Sequence, residues 1–220
     1  MHDTDPPDVD RVVTPRGELV LRRSGEHYEV VSNGMFLMDT RDGRSERLLV
    51  DEAVAWHGAP RCLLVGGLGV GFSLRAAVMH AGLQRIVVAE VEQQVVDWHA
   101  THLAHLTAEA LADPRVEVVV ADVGEVLATS EETYDVVCLD VDNGPDWTVT
   151  DDNTRLYAAQ GLARVHRSLR PGGVLAVWAA RPVPEFESRL REQLTRVRLV
   201  EVPPALPRAE PDVVYLARRP

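Results

Sequence analysis

The chain has 220 residues, a formal net charge of −11, and hydrophobic and charged fractions of 45% and 26%, ordinary proportions for a globular chain with one sizeable core. The charge argues against a protein that grips nucleic acid through its phosphates, and no apolar run reaches the length of a membrane span. The sequence contains no lysine, which excludes Schiff-base chemistry on a protein lysine and a P-loop, whose lysine reaches the phosphates.

The opening stretch, MHDTDPPDVD, is acidic and proline-rich; it reads as part of a disordered tail over 1–16, neither signal nor transit peptide. ELVLRR, HYEVVS and GMFLMD follow as β-prone runs broken by SGE and NG, which predicts a small antiparallel β module over 17–46. RLLVDEAVAWH carries apolar residues at helical spacing and opens a main domain over 47–220. From Cys62 onward strand and helix alternate. CLLVGG reads as a strand, GFSLRAAVMHAG as a helix ended by Gly82, RIVVAE as a strand and VEQQVVDWHATHLAHL as one helix. VEVVVAD, the short helical VGEVLAT and the strand YDVVCLD come next. NTRLYAAQGLARVHRSL reads as one helix stopped by the Pro-Gly-Gly turn at 171–173, then GVLAVWAA as a strand and PEFESRLREQL as a helix. RVRLVEV and DVVYLARR close the chain as two strands around PPALPRAEP. Nearly continuous apolar strands alternating with helices predict an α/β, Rossmann-like, seven-stranded and mostly parallel sheet with helices on both faces and an antiparallel edge. Cys62 and Cys138 sit inside apolar runs and read as buried thiols of a cytoplasmic protein.

In such a sheet, ligands bind at the C-terminal ends of the strands. Gly66-Gly67-Leu68-Gly69-Val70-Gly71 follows the first strand. A dinucleotide GxGxxG pattern would need glycine at 72, where Phe72 stands; Gly67-x-Gly69-x-Gly71 fits the close-approach loop of an S-adenosylmethionine site instead. Glu90, ending the second strand, can accept hydrogen bonds from the ribose hydroxyls. Asp122, ending the third with Val123 beside it, can accept one from the adenine amino group. Asp140 ends the fourth strand, and Asp142 follows. His99, His102 and His105 drift around a helix at three-residue spacing, so they read as a solvated face rather than a metal site.

At this point the chain resembles the spermidine synthase family over about residues 17–200. The likeness rests on Asp51-Glu52 ahead of the glycine loop, GGLGVG, AEVEQQVV, DPRVEVVVADVGEVL, YDVVCLDVDNGP and RLYAAQGLARVHRSLRPGGVLAVW. The resemblance implies that Gly66, Gly67, Gly69 and Gly71 form the nucleoside loop, with Glu90 on the ribose and Asp122 with Val123 at the adenine. It implies Asp140 as base or orienting acid for an attacking amine, and S-adenosylmethionine or its decarboxylated form as cofactor. It also implies a homodimer through the N-terminal strands. Asp51 and Glu52 fall where the family's Tyr-His-Glu lies near the amine.

The departures bear on the reaction. The family's loop reads Gly-Gly-Gly-Asp-Gly; its aspartate meets the aminopropyl ammonium, and Gly69, or Leu68 in the shifted register, stands there. The Asp-Ser-Ser-Asp-Pro loop becomes Asp140-Val141-Asp142-Asn143-Gly144-Pro145, with the second acid displaced by one. An amine is protonated at neutral pH, so a carboxylate acceptor is useful. Asp140 takes that role, while Asp142 binds a second ammonium or pairs with the first. Asp146, Asp151 and Asp152 beside Trp147 can hold a cation by charge and ring face, with a cap on the helix near Asn153 as the alternative role of Asp151 or Asp152. The reading is a transferase moving an aminopropyl or methyl group to a small amine-type acceptor, without metal, nucleic acid or membrane. A methyltransferase acting on another small molecule, and a non-catalytic nucleoside-binding protein, stand as alternatives.

Overall fold

The computed structural model describes residues 7–148, 151–203 and 211–220, with the side chains of Asp151 and Asp152 outside that description. Residues 1–6 of the expected tail, most of PPALPRAEP (204–210) and the capping role assigned to Asp151 or Asp152 therefore lie outside the described residues.

The N-terminal part is an antiparallel meander of β1 (Asp8–Thr14), β2 (Gly17–Ser24), β3 (His27–Ser32) and β4 (Met35–Asp39). Asn33 and Gly34 join β3 to β4 with φ of 51° and 78°, the left-handed pair that a two-residue hairpin of this twist requires. β1 corrects the expectation of a disordered tail through residue 16. Of its two acids, Asp8 is exposed and pairs with Arg11, while Asp10 is a hydrogen-bond acceptor for the main domain. Asp10 Oδ2 accepts from Trp98 Nε1 at 2.8 Å and from Gln94 Nε2 at 2.9 Å. The Thr14 hydroxyl donates to Glu92 Oε1 at 3.1 Å, and Val9 and Val12 pack on the core.

The main sheet has the order β10-β11-β9-β8-β5-β6-β7. Its strands and helices are α1 (Arg44–His57), β5 (Cys62–Gly66), α2 (Phe72–Met79), β6 (Arg85–Glu90), α3 (Gln93–Ala100), α4 (Ala104–Leu111), β7 (Val116–Val120), α5 (Val123–Ala128), β8 (Tyr134–Leu139), α6 (Asp151–Tyr157), α7 (Ala159–Ser168), β9 (Leu169–Ala179), α8 (Pro184–Gln193), β10 (Thr195–Val202) and β11 (Asp212–Arg218). The strands β7-β6-β5-β8-β9 are parallel, and β11 runs antiparallel to both β9 and β10. The order reverses between β5 and β8, which makes their C-terminal ends the switch point.

Three local expectations change. The helix expected over VEQQVVDWHATHLAHL is two, because Thr101 leaves helical geometry at φ −127°, ψ −93°. The helix expected over NTRLYAAQGLARVHRSL also divides, at the extended Ala158. Pro171-Gly172-Gly173 lies inside β9, whose register against β8 shifts between Tyr134 and Val136 to admit it.

The central strands are apolar throughout because both faces are covered. Leu63, Val65, Val136 and Cys138 face α1, α2 and the N-terminal sheet; Leu64, Val137 and Leu139 face the layer of α5, α7 and α8. Cys62 and Cys138 are buried free thiols. Among the described residues no helix is long and apolar enough to cross a membrane.

If β1 is anchored through Asp10, Asp10→Ala leaves the Trp98 indole N–H without its acceptor. A loss of about 1–3 kcal/mol of stability is expected, measured by urea unfolding followed by Trp fluorescence.

Candidate functional site

The site grows from the end of β5. Gly66 accepts the Asp140 N–H at 2.9 Å, and a Cβ on Gly67 would stand 2.3 Å from the Asp140 carbonyl oxygen. Two strand ends therefore touch through bare backbone. The loop then passes under the N-terminal sheet: Gly69, at φ +52°, would place a Cβ 2.5 Å from Met38 Sδ. Glu90 Oε2 accepts the Leu68 N–H and Oε1 accepts the Glu92 N–H, both at 2.9 Å.

Two cavities meet here. The first, about 130 Å³, is walled by Gly67 and Gly69, Glu90, Asp122 and Val123, Asp140 and Asp142, and roofed by Leu19, Val30 and Met38 of the N-terminal sheet. Seven of the residues expected at the site are thus brought together. Gly66 and Gly71 are not part of this wall. Gly66 lies beneath Val123, where a Cβ would come within 2.9 Å of its Cγ2, and Gly71 starts α2. Glu90 is buried; desolvation raises its pKa, while the backbone N–H groups on its oxygens pull it down. Asp122 caps α5, its Oδ1 accepting from the N–H groups of Gly124 at 2.7 Å and Glu125 at 3.3 Å. The cap leaves Oδ2 for another donor.

The second cavity, about 590 Å³, shares Leu37, Met38, Asp140 and Asp142 with the first and adds Glu46, Trp147 and Trp178. Asp142, at φ +56°, accepts from Asn153 Nδ2 at 2.7 Å. Asp146 turns away from the cavity to pair with Arg181 at 2.8 Å. Asp51 and Glu52 do not line either cavity, which corrects the expectation that they face the acceptor. α1 buries Ser45, Leu49, Val50 and Ala53, so residues 51 and 52 point outward. Asp51 pairs with His80 at 2.7 Å, and Glu52 pairs with Arg198.

The acid that α1 does supply is Glu46, three residues ahead of buried Leu49 on the inward stripe; that spacing was the available signal. Asp140 is half-buried and accepts from Ser73 Oγ at 2.9 Å, and burial still pushes its carboxyl up to about 6. Glu46 is pushed up to about 7, first by burial and then by the neighbouring Asp140 charge, while Ser45 Oγ donates to it at 2.8 Å. Two carboxyls poised near neutrality on one cavity wall can hold and release a proton. His99, expected on a solvated face, is instead 2% exposed; only His102 and His105 match that reading of an outer face, tilted against the Tyr28 ring.

Residues 45–200 match the family model described as the spermine/spermidine synthase domain. A polyamine aminopropyltransferase 2 of Pseudomonas aeruginosa is 37% identical over 134 residues, 59% of this chain and 36% of that protein. A polyamine aminopropyltransferase of Aeropyrum pernix is 31% identical over 186 residues, 81% of this chain and 57% of that protein. The chain thus spans between about a third and three-fifths of the length of these relatives. A crystal structure of spermidine synthase in complex with the transition state analogue AdoDATO superposes with a TM-score of 0.84, over 97% of this chain and 74% of that one, at 16% identity. Spermidine synthase from Thermotoga maritima gives 0.82, over 97% and 73%, also at 16% identity. At that identity the structural likeness establishes the fold.

The raised carboxyls carry a stability cost with a definite sign. Between the ordinary carboxyl values of 3.8–4.5 and the folded values of about 6–7, the native state binds more protons than the unfolded chain. Stability therefore falls as pH rises through that window. Glu46→Gln should be stabilising, on the order of 2 kcal/mol, at pH 8 and nearly neutral at pH 5, as denaturant titrations at the two pH values will read.

Proposed function

This chain belongs to the spermine/spermidine synthase family, and on that premise we propose that it transfers the aminopropyl group of decarboxylated S-adenosylmethionine to a small cationic amine. The observation that carries the reading is Asp140, a half-buried carboxyl on the wall common to both cavities. A nucleoside in one and an amine in the other would meet there. The names of the relatives, polyamine aminopropyltransferases, support the same reaction.

Charge selects the form of the cofactor. Among the described residues the first cavity is lined by Glu90, Glu92, Asp122, Asp140 and Asp142, against Arg16 alone among bases. Arg16 stands on the Asp122 side, where the wall continues to Gly124 and Arg164. The carboxylate of intact S-adenosylmethionine would face acids in such a pocket, whereas the decarboxylated form brings only positive charge. Methyl transfer from the intact cofactor is the second reading, favoured by Gly69, or Leu68 in the shifted register, standing where the family carries an aspartate. Exposed Val13, at 83%, is consistent with a homodimer formed through the N-terminal strands.

When bound, the sulfonium nucleoside supplies an electrophilic carbon and a neutral thioether leaving group. Glu90 and Asp122 would hold its ribose and adenine, with the Val123 backbone alongside. Trp147 and Trp178 would flank the amine, and Asp142 would bind its distal charge. Asp140, with Glu46 nearby, accepts one proton from the incoming ammonium and so frees the nitrogen lone pair for in-line attack.

Calorimetric titration with the decarboxylated and the intact cofactor tests this. The expected result is clear preference for the decarboxylated form, weakened by Glu90→Ala; preference for the intact form would turn the reading to methyl transfer. Asp140→Asn should lower kcat by about 10²–10⁴. The wild-type kcat/KM should rise with pH through about 6–7, as the Asp140 and Glu46 carboxyls ionise.

A further inference from the structure

The glycine loop has a second support, on the side away from the ligand cavity. His99 of α3 is buried, and its Nε2 lies 2.9 Å from the Gly69 carbonyl oxygen. Its Nδ1 lies 2.7 Å from Thr107 Oγ1 of α4. A carbonyl only accepts, so Nε2 carries the hydrogen; burial disfavours the imidazolium, so the Thr107 hydroxyl donates to Nδ1. The pair also touches the loop's last glycine. A Cβ on Gly71 would stand 2.2 Å from Thr107 Cγ2 and 3.3 Å from His99 Cε1.

The break between α3 and α4 creates this arrangement. In one continuous helix, residues eight apart would be separated by about 12 Å along the axis. The turn at 101–103 instead folds α4 back, so that Thr107 meets His99. On the opposite side, Met38 closes over Gly69. The loop's peptides are then fixed one by one: Gly67 N–H on Ala89 O at 2.9 Å, Leu68 N–H on Glu90 Oε2 at 2.9 Å, Gly71 N–H on Leu68 O at 2.8 Å. Among these bonds, the one from His99 fixes the Gly69 carbonyl. With that oxygen turned toward α3, the other face of the Gly69 backbone lines the cavity.

We infer that His99, oriented by Thr107, is a positioning residue that holds the Gly67–Gly71 loop in its nucleoside-binding shape. The inference rests on the loop being a nucleoside site, as proposed above. Without the His99 N–H, the half-buried Gly69 carbonyl loses its partner on the α3 side of the loop. The peptide regains a partner by rotating toward the cavity, where it displaces the ligand.

The test is calorimetric titration of the full-length protein with 5′-methylthioadenosine, the nucleoside left after aminopropyl transfer. It engages the loop without the amine. His99→Leu should bind about tenfold more weakly at unchanged stoichiometry, and KM for the nucleoside substrate should rise while KM for the amine stays constant. His99→Gln, which can return an amide N–H near the Nε2 position, should recover binding to within about threefold of wild type. Thr107→Val keeps the Cγ2 packing on Gly71 and removes the hydroxyl; it should weaken binding by a smaller factor and remains informative if His99→Leu fails to fold. Wild-type affinity in His99→Leu, or in Thr107→Val where the leucine variant does not fold, overturns the inference. A lower stoichiometry at wild-type affinity also overturns it, because that is the signature of a purely structural role. Failure of the wild-type protein to bind the nucleoside overturns the nucleoside reading itself, a result separate from any ranking of the variants.

Discussion

The site depends on the backbone contact between Gly67 and Asp140. Only a residue without a side chain lets the end of β5 lie against the carbonyl of Asp140. The hydrogen bond from Asp140 N–H to Gly66 O locks the two strand ends in register. From that contact the rest of the site follows. The loop leaving β5 is forced toward Glu90, the carboxyl of Asp140 is enclosed where the cavities meet, and β4 lies near enough for Met38 to seal Gly69. A methyl group at 67 would push apart the two halves of the sheet that the switch in strand order brings together.

The electrostatics follow from the same enclosure. A chain of net charge −11 gathers five acids around a small cavity and balances them with one arginine. Asp122 and Glu90 are accommodated by backbone N–H donors at a helix start and a loop, which stabilise carboxylates without adding a mobile counter-charge. Asp140 has the Ser73 hydroxyl, and Glu46 has the Ser45 hydroxyl and its own backbone N–H, too little to offset burial, and their carboxyls rise toward neutrality. Glu90 too is raised by its burial, against the backbone N–H groups that pull it down, so the donors that reach each buried oxygen limit how far a carboxyl rises.

Much of this was legible in the sequence. The strands β5, β6, β8 and β9 announce themselves as apolar runs because they are covered on both faces, and each key acid follows a strand end by topology. What escaped sequence reading had a different origin. β1 is acidic, and its order comes from acceptors for Trp98 and Gln94 far along the chain. His99 reads as surface by its three-residue spacing with His102 and His105, and it packs against Thr107 because the chain turns at Thr101. Asp51 and Glu52 were aligned by motif position, yet the rotation of α1 carries them outward and brings Glu46 inward. Local pattern recovers elements; the face a residue presents is fixed by tertiary packing.

The clasp between β1 and α3 has a consequence for how the molecule assembles. Asp10 and Trp98 are 88 residues apart in the chain, and Thr14 and Glu92 are 78 apart. Contacts of such separation incur their loop-closure entropy before they contribute stability. The strands of the meander pair with their neighbours in sequence, so the meander closes locally and is tied to the main domain through side chains of β1. The roof over the first cavity, paired within itself and tied on by such contacts, can then lift as one unit. Native-state hydrogen exchange would see it as an opening unit of lower free energy than the sheet beneath.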